Sequence, residues 1–208
     1  MVDANFYLRN TCRMCGATSL LKTVSLSPTP PGNDFLTKEE LGRKEQLYPL
    51  DLYFCEECKH VQLGHVIDPT ILYQKNYTYV SATSNQFVNH LKDFSDEMIK
   101  RFNLKPKMLV ADIGSNDGTC LSFFRDREMN VIGVDPAIDI AKNASDHGIE
   151  TIVDFFSYDL AINLREKYGT ADFITSHNAC AHIDNLLDVI KGVEHWLSED
   201  GIFVLEVG

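Results

Sequence analysis

The second half of the chain repeats one pattern, in which a short apolar run precedes a segment with apolar residues at helical spacing. The apolar runs predict five strands, at residues 108–113, 130–134, 151–154, 171–176 and 201–207. The segments between them predict helices at residues 118–127, 137–147, 157–168 and 184–197. Gly148 and Gly169 are typical of helix ends, and Ser157 and Asp184 of helix N-caps. Strands that alternate with helices predict an α/β fold with a parallel sheet.

The first half lacks this alternation. Its proline-rich stretch, residues 26–32, predicts an irregular insertion, and a short helix is predicted at 37–45. Asp68 followed by Pro69 is typical of a helix start. Farther on, apolar residues at helical spacing predict a long amphipathic helix; they are Phe87, Leu91, Phe94, Met98, Ile99 and Phe102.

These patterns predict three parts of the chain. Residues 1–66 form a small module, residues 67–107 a connecting helical segment, and residues 108–208 the parallel-sheet domain. The chain of 208 residues is long enough for one large domain and a small module.

The most informative local pattern is a strand that ends on Asp112, a loop that contains Gly114 and Gly118, and a second strand that ends on Asp135. This order is typical of a nucleoside site, in which the second acid accepts hydrogen bonds from ribose hydroxyls. Carboxylates beside the loop would repel a pyrophosphate, and the Gly-x-Gly-x-x-Gly fingerprint is absent. S-adenosylmethionine, which has an ammonium group and no phosphate, therefore fits better than NAD. An ordinary strand-to-helix turn is the alternative.

Further candidate cofactor contacts follow from the strand ends, because ligands of parallel sheets bind at the carboxyl ends of strands. Asp154 and Phe155 lie at the end of the third strand, and His177 and Asn178 at the end of the fourth. Asn116, within the glycine loop, completes the predicted set. We expect His177 to line the methionine end of the cofactor.

Four of the six cysteines form two Cys-x-x-Cys pairs, Cys12 with Cys15 and Cys55 with Cys58. Two such pairs can present four thiolates to one tetrahedral Zn²⁺. Four thiolates leave no open coordination position, so a structural role is predicted. Disulfides are the alternative, which a reducing compartment disfavours.

The net charge of the chain disfavours some classes of binding partner. The formal net charge is −11, which argues against a sequence-independent grip on nucleic acid or on an anionic membrane surface. The N-terminus lacks the features of a signal peptide, and no apolar run approaches a membrane span. We expect a soluble, cytoplasmic protein of undetermined oligomeric state.

Four motifs together resemble a known family. They are the first Cys-x-x-Cys pair, Cys-x-x-Cys-x-His-Val-Gln-Leu from Cys55, Tyr-x-Tyr-x-Ser from Tyr77, and Asp-Ile-Gly-Ser-Asn-Asp-Gly-Thr from Asp112; Asn-x-x-x-His-Ile-Asp from Asn178 also matches. The chain is similar over nearly its whole length to the zinc-containing sugar C-methyltransferases. The resemblance implies a zinc-binding module and a Rossmann-like class I methyltransferase domain.

The resemblance also implies an activity. The family removes a proton next to the ketone of a nucleotide-linked keto-deoxysugar and transfers a methyl group to the enolate. His182 and Tyr79 match a histidine and a tyrosine that face the sugar, and are the candidate catalytic residues.

Family members are about twice as long and carry a Tyr-x-Glu-His motif that this sequence lacks. We therefore expect the chain to be an N-terminal half that stops after the fifth strand, or to take its missing half from elsewhere, and to have little activity alone.

Other functions stay open. A methyltransferase of another small substrate, or a non-catalytic fragment that binds S-adenosylmethionine and zinc, would share the same motifs. A zinc-ribbon binding module is disfavoured by the acidic charge, and an NAD-dependent sugar enzyme by the acids of the loop.

Overall fold

The chain divides into two compact units, Met1–Thr78 and Tyr79–Gly208. The computed structural model describes residues 5–74 and 77–207. The predicted connecting segment, residues 67–107, is thus divided between the two units.

Short antiparallel sheets make up the first unit. Its elements are β1 (Phe6–Leu8), β2 (Leu20–Thr29), β3 (Tyr48–Cys55), β4 (Val61–Leu63), β5 (His65–Ile67) and α1 (Pro69–Tyr73). Strands β2, β3 and β4 form one sheet in that order, and β1 pairs with β5. The side chain of Asp68 accepts a hydrogen bond from the backbone N–H of Thr70, which caps α1 as predicted.

Two local predictions in this unit were wrong. Residues 26–29 of the predicted insertion belong to β2, which pairs with β3 as far as Thr29. Pro28 is tolerated because β2 is an edge strand and its register shifts between Leu26 and Thr29. The predicted helix at 37–45 is only a 3-10 turn, Lys38–Glu40, after which Gly42 has the left-handed φ of 96°.

The second unit is a five-stranded parallel sheet, which confirms the predicted fold class. Its strands are β6 (Leu109–Ile113), β7 (Asn130–Val134), β8 (Thr151–Ile152), β9 (Ala171–His177) and β10 (Leu197–Glu206), in the order β10-β9-β6-β7-β8. Its helices are α2 (Asn85–Phe102), α3 (Thr119–Arg125), α4 (Ile138–Asp146), α5 (Tyr158–Tyr168) and α6 (Leu186–Trp196).

Two apolar cores hold helices against the sheet. One core contains Trp196 of α6 and Ile174 of β9. The other contains Phe124 of α3, Leu91 of α2 and Phe173 of β9. Because neighbouring residues of β9 enter different cores, both faces of the sheet are covered.

Three element boundaries differ from the prediction. Strand β8 ends at Ile152, two residues early. Helix α6 starts at Leu186 with Asn185 at the N-cap position in place of Asp184, after a 3-10 turn at Cys180–His182. Strand β10 begins at Leu197, with an irregular register before Ile202.

Candidate functional site

The loop between β6 and α3 requires its glycines. Gly114 has a φ of 77°, and a Cβ there would lie 2.5 Å from the Cβ of Ala179. Gly118 has the same left-handed φ at the N-cap of α3, where a Cβ would lie 2.9 Å from a side-chain carbon of Ile149. Glycine at these positions therefore allows the left-handed backbone and the close packing of Ala179 and Ile149 against the loop.

Two buried acids lie beside this loop. Asp112 is 2% exposed and Asp135 is 5% exposed. Burial, together with the charge of Asp135, raises the pKa of Asp112 well above its usual value. Burial also raises the pKa of Asp135, against the effect of two backbone hydrogen bonds from Ala137 and Asn116. A cationic ligand at this loop would be stabilised by the ionised forms of both acids.

Polar atoms at this site lack partners, which tests whether S-adenosylmethionine fits. Asp112 Oδ1 and Ser115 Oγ are buried and have no hydrogen-bond partner among the described residues. Leaving such groups unsatisfied costs about 1–3 kcal/mol each. An ammonium group and ribose hydroxyls are donors, so a ligand with these groups matches what the site lacks.

Asn116 and Asp117 bind a segment that the sequence did not connect to the loop. We call residues 79–82 the strap. The backbone N–H of Ser81 donates to Asn116 Oδ1, and Asn116 Nδ2 donates to the carbonyl of Tyr79, both at 2.9 Å. The backbone N–H of Ala82 donates to Asp117 Oδ2 at 2.9 Å. The side chain of Asn116, which was predicted to contact the cofactor, is thus engaged by the strap.

Backbone N–H groups donate hydrogen bonds to the carboxylate of Asp135. Asn116 donates its backbone N–H to Asp135 Oδ2 at 2.8 Å, and Ala137 donates to Asp135 Oδ1 at 2.9 Å. Each carboxylate oxygen can accept a second hydrogen bond. The acid therefore shapes the loop and keeps the capacity to bind a diol.

The structure also places the remaining candidate cofactor and catalytic residues. Asp154 is exposed and Phe155 half-buried just beyond β8. Asn178 follows β9 with a φ of 55°, and its backbone N–H donates to the carbonyl of Glu206. His182 is exposed at the end of the 3-10 turn, and Tyr79 is 46% exposed in the strap.

His177, at the end of β9, is held uncharged. Burial lowers its pKa to about 4. Its Nε2 lies 3.1 Å from the hydroxyl of Thr175 and 3.6 Å from the sulfur of Cys120, and its Nδ1 is buried without a partner in the described part of the chain. Its ring lies perpendicular to that of Phe94, with the two centroids 4.5 Å apart.

A histidine and a glutamate that the sequence did not indicate meet at the end of β10. His90 Nε2 of α2 lies 2.6 Å from Glu206 Oε2. No local signal marks this pair, because the residues are 116 positions apart.

The four cysteines of the first unit converge as predicted. All four sulfurs lie within 4.8 Å of one another, with Cys12 and Cys58 at 3.5 Å and Cys15 and Cys55 at 3.7 Å. A disulfide has sulfurs about 2.05 Å apart. A tetrahedral zinc with bonds of about 2.3 Å places neighbouring sulfurs about 3.8 Å apart. The spacing therefore fits a zinc site, and the cysteines are free thiols.

Tight turns of the backbone orient these thiols toward one another. Gly16 and Lys59, each directly after a Cys-x-x-Cys pair, adopt left-handed φ values of 75° and 66°. Buried Gln62 accepts from the backbone of Arg13 at 2.8 Å and donates to the carbonyl of Thr11 at 3.1 Å, which fixes the first pair.

The pKa values of the thiols indicate that four ionised thiols in this cluster need a compensating cation. Burial opposes ionisation of Cys12, but backbone hydrogen bonds from Cys15 and Met14 lower its pKa to about 7. A backbone hydrogen bond from His60 lowers the pKa of Cys58, but desolvation and the neighbouring sulfurs together raise it to about 12. Four thiolates cannot share this space without a cation.

Comparison with known families matches both units. Residues 12–73 match a family described as "Putative zinc binding domain". Residues 84–207, more than half of the chain, match the family described as "Methyltransferase domain". The chain belongs to the methyltransferase-domain family. These matches and the cysteine cluster support the predicted cofactor, S-adenosylmethionine, and the predicted metal, zinc.

A curated relative of this methyltransferase chain is the C-methyltransferase NovU of Streptomyces niveus. The two are 35% identical over 196 residues, which is 94% of this chain and 46% of the relative. The chain thus spans about half the length of the relative that it matches.

Solved structures similar to the methyltransferase unit include two proteins. The plantazolicin methyltransferase BpumL, in complex with a pentazolic analogue and SAH, is 16% identical over 59% of this chain and 47% of that chain, with a TM-score of 0.47. The PH0226 protein from Pyrococcus horikoshii OT3 is 20% identical over 62% of this chain and 57% of that chain, with a TM-score of 0.48.

Within residues 5–74 and 77–207 of this methyltransferase chain, no helix is both long and apolar enough to cross a bilayer.

Proposed function

We propose that the protein methylates a carbon next to the carbonyl of a nucleotide-linked keto-deoxysugar, with S-adenosylmethionine as the methyl donor. The observation that carries this proposal is the match to a C-methyltransferase across both the cysteine cluster and the acid-bearing loop. The resemblance of the sequence motifs to sugar C-methyltransferases supplies the substrate class.

The cofactor would be held by the loop and its two acids. Asp135 would accept hydrogen bonds from the ribose hydroxyls, and Asp112 would face the ammonium group with its unpartnered oxygen. Gly114 and Gly118 would let the backbone approach the ligand. The sulfonium of the bound cofactor activates the methyl group that is transferred.

Residues at the strand ends would flank the two halves of the cofactor. Asp154 and Phe155 follow β8, which pairs with the strand that ends on Asp135, so we assign them to the nucleoside half. His177 and Asn178 lie on the other side of β6, and we assign them to the methionine half. An uncharged His177 adds no positive charge beside a sulfonium.

Tyr79 and His182 would contact the sugar. Both are at least partly exposed, and the strap fixes the backbone of Tyr79 beside the glycine loop. Exposure lets a ligand reach both side chains. The zinc unit would be structural, because its four thiolates complete the coordination of the metal.

The test is methyl transfer from isotope-labelled S-adenosylmethionine to a thymidine diphosphate-linked 4-keto-6-deoxyhexose. The complete protein that carries this chain should label the sugar at a carbon next to the carbonyl. His182→Ala should lower the rate by about 10²–10⁴-fold and leave cofactor affinity near that of the parent. Labelling of a different small molecule but not of the sugar would favour the alternative methyltransferase. Full activity of the His182→Ala variant would remove His182 from the mechanism.

A further inference from the structure

Two motifs that are far apart in the sequence bind to each other in the second unit. Tyr79 and Ser81 belong to the Tyr-x-Tyr-x-Ser motif, and Asn116 and Asp117 to the glycine loop that follows β6. Three hydrogen bonds of 2.9 Å join the strap to the side chains of Asn116 and Asp117, across 35–37 residues of chain. Side chains of the candidate cofactor loop therefore determine where the strap lies.

Both polar atoms of the Asn116 side chain are paired with the strap. Its Oδ1 accepts the backbone N–H of Ser81, and its Nδ2 donates to the carbonyl of Tyr79. An amide that bridges a donor and an acceptor of one segment fixes both the position and the direction of that segment. Asn116 is only 7% exposed. A buried amide that is paired in this way is poorly placed to bind the cofactor itself.

The carboxylate of Asp117 joins the strap to the start of α3. Its Oδ1 accepts the backbone N–H of Thr119 at 3.1 Å and the hydroxyl of Thr119 at 2.7 Å. Its Oδ2 accepts the backbone N–H of Ala82 at 2.9 Å. Hydrogen bonds to a carboxylate are about twice as strong as those between neutral groups. Asp117 therefore holds the strap against the same turn in which α3 begins.

The strap contributes only backbone groups to these three bonds. They are the carbonyl of Tyr79 and the N–H groups of Ser81 and Ala82. Just beyond the strap, Ser84 caps α2, which packs with α3 in one apolar core. The backbone of Tyr79 is thus fixed relative to the loop, and none of the three bonds uses its side chain.

We propose that Asn116 and Asp117 are positioning residues, which set the place of Tyr79 relative to the bound cofactor. This assignment rests on the proposed function, in which the loop holds S-adenosylmethionine and Tyr79 contacts the sugar. A misplacement of about 1 Å between reacting groups costs about 10²-fold in rate. The hydrogen bonds between loop and strap keep the sugar contact and the cofactor in one frame.

The experiment separates sugar recognition from cofactor binding in the complete protein that carries this chain. Asn116→Gly removes both amide hydrogen bonds and tolerates the left-handed φ of 52°. Asp117→Asn keeps an oxygen for Thr119 but places an N–H donor opposite the N–H of Ala82.

Two control variants carry the same substitutions away from the strap. Asn103, the C-cap of α2, is exposed and has a φ of 53°, so Asn103→Gly repeats the change of backbone freedom. Asp126 is exposed after α3, so Asp126→Asn repeats the loss of one carboxylate.

The measurements are kcat/KM for the thymidine diphosphate-linked 4-keto-6-deoxyhexose and two affinities from titration calorimetry. Asn116→Gly and Asp117→Asn should lower kcat/KM for the sugar by about 10-fold to 100-fold. Their affinity for the sugar, measured with S-adenosylhomocysteine bound, should fall by about 3-fold to 10-fold. Their affinity for S-adenosylmethionine should stay within about threefold of the parent, because neither side chain binds the cofactor. Both controls should match the parent.

A double-mutant cycle tests whether the effect passes through Tyr79. In a Tyr79→Phe background, Asn116→Gly should lower kcat/KM by no more than about threefold further, because the hydroxyl that the strap positions is absent. A general disturbance of the fold would lower activity by the same factor in both backgrounds.

Two results would overturn the assignment while the proposed function stands. One is a kcat/KM at the parent value in both variants, or an undiminished effect of Asn116→Gly in the Tyr79→Phe background. The other is a parallel loss of S-adenosylmethionine affinity, which would make Asn116 or Asp117 part of the cofactor site. A parent that neither binds nor methylates the sugar would refute the proposed function, and the assignment with it.

Discussion

Replacement of Asn116 tests whether the strap is held by the cofactor loop. Asn116→Gly removes the two hydrogen bonds to Ser81 and Tyr79 but tolerates the left-handed φ of 52°. At about 1 kcal/mol for each hydrogen bond, the variant should lose about 2 kcal/mol of local stability. Asn116→Ala adds backbone strain in the left-handed region of about 1–2 kcal/mol and should be destabilised further.

The assay is native-state hydrogen exchange at the backbone amide of Ser81, whose N–H donates to Asn116. A loss of 2 kcal/mol corresponds to about 30-fold faster exchange. Global unfolding is a poorer measure, because a chain of two units need not unfold in one step. Asp126, an exposed residue after α3, offers the control Asp126→Ala. Exchange in Asn116→Gly within about twofold of the parent would refute the claim that this side chain holds the strap.

Two further predictions concern the metal and the buried acid. Elemental analysis after mild chelation should find one zinc ion per chain. Cys55→Ser should lose both the metal and the folded structure of the first unit. A first unit that stays folded without metal would contradict the zinc site. Affinity for S-adenosylmethionine should rise with pH through the raised pKa of Asp112, because a protonated Asp112 must lose its proton to face a cation. Calorimetry in buffers of different ionisation enthalpy should show this proton release, and a pH-independent affinity without it would contradict the role of Asp112.

The acid pair has an opposite effect on the unliganded fold. The pKa values of Asp112 and Asp135 are raised in the folded state, so folding favours their protonated forms. Their contribution to stability is complete at low pH and is lost as the pH rises from the ordinary aspartate range through the raised pKa values. Cofactor binding should therefore stabilise the second unit most at neutral and higher pH.

The sequence predicted those features whose signal is local. The apolar runs that end on Asp112 and Asp135 gave the parallel strands, because strands buried on both faces are continuously apolar. The paired cysteines predicted a four-sulfur cluster, because only a few ligand spacings can surround a tetrahedral ion. The glycines of the loop indicated positive φ values, which Gly114 and Gly118 both adopt.

The features that the sequence missed depend on distant pairing. The strap meets Asn116 across 35–37 residues, and His90 meets Glu206 across 116. Neither pairing leaves a periodic signal, because each depends on how helices and strands pack. The prolines around Pro28 predict an irregular segment, because proline removes a ladder hydrogen bond, but an edge strand tolerates that loss.

The loop between β6 and α3 and the acid Asp135 form the proposed S-adenosylmethionine site. The direct measurement is titration calorimetry of the chain with S-adenosylmethionine and, separately, with NAD. S-adenosylmethionine should bind and NAD should not, and Asp135→Ala should weaken the affinity by about tenfold to a hundredfold, since hydrogen bonds to a charged group contribute about 1.5–3 kcal/mol. Binding of NAD by the folded chain, or unchanged affinity for S-adenosylmethionine in a folded Asp135→Ala variant, would contradict the account.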